Sequence, residues 1–341
     1  MGAPLLVAQN LAVGYGRRLL FESLSLCLPT NAFVCLVGAN GAGKSTLLKT
    51  LAGLQPPLSG TVFLRDKNLH HLPPEQRAKQ LSIVLTERIE LDWLSVEELV
   101  ALGRYPYTDW QGRLDKTDHA AVQEAIAAVG LEELRKKSIT QISDGERQKA
   151  MIARALAQET NLLILDEPTA YLDLPRRVEM MQLLRDLAHR YHRSVLISTH
   201  DLDLALRSAD QLWLINRQGH LMVGTPEELV LQGDLGSTFS GETFEFDQAS
   251  GQFQFNHQWR SPIRLQGEGL TAIWTARALT RLGYDVTDKP TELELVVQQN
   301  PKVWRFRNGD RHIEFQSLGE LSDHLQAYNM KTVDQSGHGR H

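Results

Sequence analysis

The nine residues GANGAGKST, Gly38 to Thr46, constrain this chain more than any other stretch. They fit G-x-x-x-x-G-K-[ST], a loop that must leave a strand and enter a helix. The apolar AFVCLVG leads into it and a helical run over 44–54 follows. Glycines at 38, 41 and 43 permit a backbone whose N–H groups turn inward around phosphate, and the helix N-terminus adds positive potential. Lys44 would reach the β- and γ-phosphates of a nucleotide, and the Ser45 hydroxyl would bind Mg²⁺. Gly38, Asn40, Gly41, Gly43, Lys44, Ser45 and Thr46 are therefore the expected nucleotide-binding residues of the loop.

Such a loop needs an acid at the end of another strand. LLILDEP supplies Asp166 to hold Mg²⁺ through its water shell, and Glu167 to accept a proton from an attacking water. Either carboxylate alone could be a solvated turn residue; the pair beside a phosphate loop is poorly explained that way. The next strand, SVLIST, ends at His200, whose neutral imidazole could bond the γ-phosphate and the catalytic carboxylate. Glu167, His200 and Lys44 are the expected catalytic set.

At 341 residues the chain suggests two domains. Its 42% hydrophobic and 23% charged residues match a soluble globular protein, and 36 basic against 41 acidic residues give a formal charge of −5, which draws it neither to nucleic acid nor to anionic lipid. MGAPLLVAQN lacks the basic start of a secretory signal, Leu6 breaks the myristoylation pattern, and no window approaches the roughly 18 apolar residues of a membrane span. Cys27 and Cys35 lie in apolar stretches and read as small core residues in a reducing compartment.

Short strands are expected over 4–37. A mostly helical insert follows over about 90–158, then α/β alternation through LLILDEP and SVLISTH, a hairpin in QLWLINRQGHLMVG and a capped helix in TPEELVLQ. From about 235 the texture turns rich in Gly, Ser and Thr, as a linker or loosely packed edge would be. The expected boundaries are a nucleotide-binding domain over 1–235, a linker over 236–255, a small α+β domain over 256–330 and a tail over 331–341, of which DQSGHGRH reads as disordered.

In this order GANGAGKST, ISDGERQ, LLILDEP, AYLD and STH resemble the ATP-binding cassette (ABC) ATPases, over about residues 1–235. SVEELVALGRYPYTDWQG and HLPPEQRAKQLSIV resemble the ATPase subunits of importers for iron(III) siderophores, haem and cobalamin. The resemblance implies an ABC-type α/β cassette with a helical subdomain. It implies ATP and Mg²⁺ as cofactors, and Tyr15 stacking on adenine. Asp173 would couple the two sites of a dimer, and Ser143, Gly145 and Glu146 would form a signature that contacts the γ-phosphate on the opposite subunit. The partners would be a second copy, head to tail, membrane permease subunits and, through them, a substrate-binding protein. The place would be the cytoplasmic face of the cell membrane, held peripherally, with no nucleic acid. Two positions depart from the family. Thr86 stands where a glutamine senses Mg²⁺, leaving Glu87 or a bridging water to reach instead, and Asp144 stands where glycine is usual, which should cost nucleotide binding unless the carboxylate points away or pairs with a cation such as Arg147.

Past residue 256, SPIRLQGEGLTAIWTARALTRLGYDVTD reads as strand, Gly turn, helix, strand. Gly267, Gly269 and Ala272 formally match a dinucleotide fingerprint with Asp285 and Asp288 downstream, but the remaining strand, Asn308-Gly309 hairpin and final helix are too few for that fold. Trp274, Trp304, Phe306, Ile313 and Phe315 are its expected core or contact face. The leading function is an ATPase powering an importer. The alternative is a soluble ABC protein acting on nucleic acid or ribosomes, disfavoured by the acidic balance and the single cassette. A P-loop kinase or GTPase leaves ISDGERQ unexplained.

Overall fold

The three continuous apolar runs around the expected site form the centre of one sheet. In the computed structural model, which describes residues 4–16, 18–86, 93–241, 243–248, 250–255 and 261–336, the chain divides into two compact units, 1–254 and 255–341. In the first unit β1 (Pro4–Tyr15) and β2 (Arg18–Pro29) form an antiparallel pair. After them come β3 (Phe33–Gly38), helix α1 (Lys44–Leu51), β4 (Ser59–Leu64), β5 (Lys67–Asn68), α2 (Pro74–Ala78) and β6 (Leu81–Val84). The helical insert comprises α3 (Val96–Ala101), α4 (Lys116–Ala128) and α5 (Asp144–Ala157). The chain then returns through β7 (Leu162–Asp166), α6 (Leu174–His189), β8 (Ser194–Thr199), α7 (Leu202–Ser208), β9 (Gln211–Ile215), β10 (Leu221–Gly224), α8 (Pro226–Leu231) and α9 (Asp234–Phe239).

Every residue of β3, β7 and β8 is buried, as strands covered on both faces require. They lie in a six-stranded sheet of order β10-β9-β3-β8-β7-β6, parallel except for β10. A four-stranded antiparallel sheet, β2-β1-β4-β5, covers one side with α1 between them. In β2 burial alternates: Leu24, Leu26 and Leu28 face inward, so Cys27 between them is exposed, against the expectation of a core residue. Cys35 is fully buried, and that burial pushes its thiol pKa up.

Each helix of the insert starts on a reciprocal cap: Ser95 with Glu98, Asp115 with Asp118, Ser143 with Glu146. Arg104 ties the insert together and to the turn that leads from α5 into β7. Its guanidinium bonds Asp118 at 2.8 Å, the Ala157 carbonyl at 2.7 Å and Glu159 at 2.6 Å. Gly103 beside it has no room for a side chain, because a Cβ would sit 2.0 Å from the Arg154 carbonyl oxygen.

The segment read as a linker over 236–255 is ordered structure. After α9 it forms a hairpin, β11 (Phe244–Asp247) with β12 (Gln252–Phe255), in which the rings of Phe239, Phe244 and Phe246 surround Phe253 at 6.0, 5.8 and 5.4 Å. Alternating phenylalanines in TFEFDQASGQFQF carry that hairpin, and the Gly and Ser between them form its turn.

In the second unit β13 (Ser261–Gln266), α10 (Gly269–Arg281) and β14 (Tyr284–Thr287) make one parallel βαβ unit. Strands β15 (Leu293–Gln299), β16 (Lys302–Asn308) and β17 (Arg311–Phe315) complete a sheet of order β14-β13-β15-β16-β17. Asn308 pairs with Arg311 across the Asn-Gly turn, where Gly309 has φ 56°. Trp304, Phe306 and Phe315 are in the core with Ile263, Leu295 and Leu325, whereas Trp274 and Ile313 lie outside it, exposed. Where the fingerprint reading would place a phosphate, the Gln299 amide donates to the Glu268 carbonyl at the start of α10. The last helix, α11 (Leu318–Ser336), runs through the first part of the segment expected to be a disordered tail. Among the described residues no helix is long and apolar enough to cross a membrane.

Candidate functional site

Strand register brings the expected residues to one edge. Val37 of β3 pairs with Thr199 of β8, Ser198 of β8 with Asp166 of β7, and Leu165 of β7 with Val84 of β6. The phosphate loop, the acidic pair, His200 and Thr86 therefore all leave the carboxyl ends of neighbouring parallel strands, where open α/β sheets bind ligands. A hollow of about 240 Å³ opens there, lined by Tyr15, Leu20, Asn40, Gly41, Gly43, Lys44, Ser45, Thr46, Glu167 and His200.

Gly41 and Gly43 have φ 76° and 94°, in the left-handed region that turns successive N–H groups to one side. Lys44, 5% exposed, donates to the carbonyls of Gly38 at 2.9 Å and Ala39 at 3.2 Å, and its ammonium lies 3.4 Å from His200 Nδ1. Burial lowers its pKa, and the charges of Glu167 and Asp166 partly offset that. Facing an ammonium, Nδ1 must be the unprotonated ring nitrogen, so Nε2 carries the proton and donates to Glu167 Oε1. The imidazole is thus oriented by the carboxylate it was expected to meet.

Glu167 sits at φ 52°, a left-handed conformation for a side-chain-bearing residue. Its N–H donates to Ser198 Oγ at 2.9 Å, and the same hydroxyl donates to Asp166 Oδ1 at 2.6 Å. Sequence reasoning passed over Ser198. The available signal was a hydroxyl at Ser198, in a strand buried at every position, where it has to find partners. Thr86 donates its hydroxyl to the Asp166 carbonyl at 3.0 Å. It ties the end of β6 to the end of β7 instead of presenting that group to a metal. Glu87 lies outside the described residues.

Ser45 in the hollow and, at the end of β7, Asp166, whose Oδ2 accepts no hydrogen bond from the described residues, offer oxygen donors only. That suits Mg²⁺, which is held by one or two protein ligands together with substrate phosphates. Tyr15 is half exposed, with the Arg18 guanidinium 5.9 Å over its ring and 3.1 Å from its hydroxyl.

The signature residues do not line this hollow. Ser143 Oγ accepts from Glu146 N–H and donates to its carboxylate at 2.7 Å, and Glu146 also accepts from Ser143 N–H at 2.7 Å. These bonds, the side-chain one first, hold the Glu146 carboxyl below the usual range. Arg176 donates to Ser143 Oγ at 3.3 Å, and its guanidinium crowds Gly145, where a Cβ would meet Nη1 at 3.0 Å. Asp173 caps α6 through Arg176 N–H. Asp144 has Arg147 3.8 Å away, the cation its position called for.

Residues 21–170 match the family model described as ABC transporter, and 260–326 match that of the iron ABC transporter C-terminal domain. An uncharacterized ABC transporter ATP-binding protein of Methanocaldococcus jannaschii is 40% identical over 76% of this chain and 89% of its own. The iron(3+)-hydroxamate import ATP-binding protein of Bacillus subtilis is 36% identical over 69% and 87%. A solved inward-facing conformation of a metal-chelate type ABC transporter aligns with TM-score 0.62 and 28% identity, covering 70% of this chain and 89% of that one.

Proposed function

The chain belongs to the ATP-binding proteins of ABC transporters, and on that premise we propose that it hydrolyses ATP to power an importer for an iron(III) chelate of the siderophore class. The observation that carries the cargo is the pairing of a cassette match with an iron-transporter C-terminal match in one chain. Similarity to an iron(3+)-hydroxamate import protein supports it. Haem and cobalamin importers remain the neighbouring readings.

In this reading the triphosphate enters the hollow over the loop N–H groups. Lys44 exchanges its two carbonyl acceptors for phosphate oxygens, an exchange its desolvated ammonium favours. Ser45 and Asp166 would hold Mg²⁺, which when bound neutralises charge on the β- and γ-phosphates. Glu167, aimed by its bond to His200, accepts a proton from the attacking water. Tyr15 would stack on the base. A second copy, head to tail, would bring its Ser143, Gly145 and Glu146 to the γ-phosphate, with Asp173 linking the two sites. To do so Ser143 must redirect its hydroxyl from Glu146. Membrane permease subunits would hold the pair at the membrane, and a substrate-binding protein would deliver cargo to them.

The test is uptake. Cells lacking this chain should lose import of radiolabelled iron given as a ferric siderophore, and regain it with the parent chain but not with Glu167→Gln. Normal iron uptake together with lost cobalamin or haem uptake would overturn the cargo and leave the ATPase standing.

A further inference from the structure

We propose that Ser198 is a positioning residue for the reaction, setting the geometry of the metal-holding and proton-accepting carboxylates with one hydroxyl. The inference rests on Asp166 and Glu167 acting as proposed above.

Ser198 lies in the middle of the parallel sheet with 0% exposure. A hydroxyl offers one donor and two lone pairs. Here the donor goes to Asp166 Oδ1 at 2.6 Å, and a lone pair receives Glu167 N–H at 2.9 Å. The first bond fixes the rotation of the Asp166 carboxylate, which occupies Oδ1 and leaves Oδ2 as the oxygen available to a cation. The second bond satisfies the one N–H that β7 stops using when the chain turns into the left-handed conformation at Glu167. That turn swings the Glu167 side chain out of the strand alternation and toward His200. Without the hydroxyl, Glu167 N–H would be left without an acceptor, and the Asp166 carboxylate would be free to rotate. Both losses fall on the site, because Ser198 pairs with Asp166 across the ladder.

Groups that orient a metal ligand typically change metal affinity or activity by 10- to 100-fold when removed. The experiment compares the full chain with Ser198→Ala and Ser198→Cys, the latter filling the same space with a weaker donor. ATP binding is titrated in chelator, then as a function of Mg²⁺, and hydrolysis is measured alongside. We expect nucleotide affinity in chelator to stay at the parent value. The Mg²⁺ concentration giving half the effect should rise about 10- to 100-fold in Ser198→Ala, with a smaller rise in Ser198→Cys and a parallel fall in kcat. An unchanged Mg²⁺ dependence overturns the proposal. So does an equal loss of binding with and without Mg²⁺ in both variants, since that is the mark of damaged packing alone. Failure of the underlying reading looks different: Glu167→Gln would then hydrolyse ATP at the parent rate whatever Ser198 does.

Discussion

Replacing Arg104 by Met should loosen the helical insert from the sheet that carries the site. The Arg104 and Asp118 side chains are 4% and 6% exposed and 2.8 Å apart, so the change leaves a desolvated carboxylate with no counter-charge. Burial by itself would depress the Arg104 pKa, but bonds to Asp118 and Glu159 outweigh it and hold the guanidinium firmly charged. Breaking a buried pair from one side costs about 3–5 kcal/mol. The Ala157 carbonyl also loses its donor, and the Tyr107 ring loses the guanidinium 4.1 Å above it. Asp118→Asn keeps an acceptor for the Asp115 N–H and removes the charge. Combined with Arg104→Met, it should therefore cost less than the sum of the two single changes, by about 0.5–3 kcal/mol. Hydrogen exchange at the amides of α4 and α5 reads these opening energies within the full chain. Because α5 begins at the Ser143 cap and ends at the Ala157 carbonyl, ATP hydrolysis should fall along with protection. A loss under about 1 kcal/mol in Arg104→Met, or strict additivity in the double variant, would refute the claim that this pair is what holds the insert.

Glu167→Gln should lower the hydrolysis rate by about 10²- to 10⁴-fold while keeping ATP bound, which a filter-binding assay after dilution will register. Lys44→Ala should abolish measurable ATP binding in calorimetry, since its ammonium is the one cation among the residues lining the hollow. A chain ending at Gln254 should fold and bind ATP. One ending at Asp247 loses Phe253 from the centre of its aromatic cluster, and should unfold at about 3–5 kcal/mol less, as judged by urea midpoints.

What could be read directly were features set by neighbours in sequence. The runs that became β3 and β7 are apolar at nearly every position and the VLI of β8 is continuous with them, because both faces are covered, and the glycines at 41 and 43 stand where the backbone turns left-handed. Two misreadings came from weighing composition over period. Cys27 follows the outward beat of LSLCL, and the phenylalanines near 250 alternate through a stretch that looked like a linker. Other features depend on contacts that no local pattern encodes. Arg104 meets Glu159 across 55 positions, and Ser198 meets Asp166 across 32. A polar residue in a buried strand announces that a partner exists, but only the register of β7 against β8 says which.

The start of α5 poses the sharpest remaining choice. QISDGERQKA is a polar helix start, and the family resemblance aims its Ser143, Gly145 and Glu146 at the γ-phosphate of a second copy. In the folded chain the reciprocal cap of Ser143 and Glu146, with Arg176 against the same hydroxyl, accounts for that polarity locally. Capping and contact in trans can be separated at position 143. Alanine removes the cap and costs about 1 kcal/mol, whereas asparagine is as good a cap as serine but lacks the hydroxyl. If Ser143 serves only the helix, hydrolysis follows stability, so Ser143→Ala is impaired and Ser143→Asn is close to the parent. If the hydroxyl meets the γ-phosphate held by a second copy, both variants lose hydrolysis while Ser143→Asn keeps the parent melting temperature. We expect the second pattern, because a hydroxyl donor already turned toward one anionic oxygen can be redirected to another at little cost. Parent-level hydrolysis in Ser143→Asn would rule out the hydroxyl as a phosphate donor.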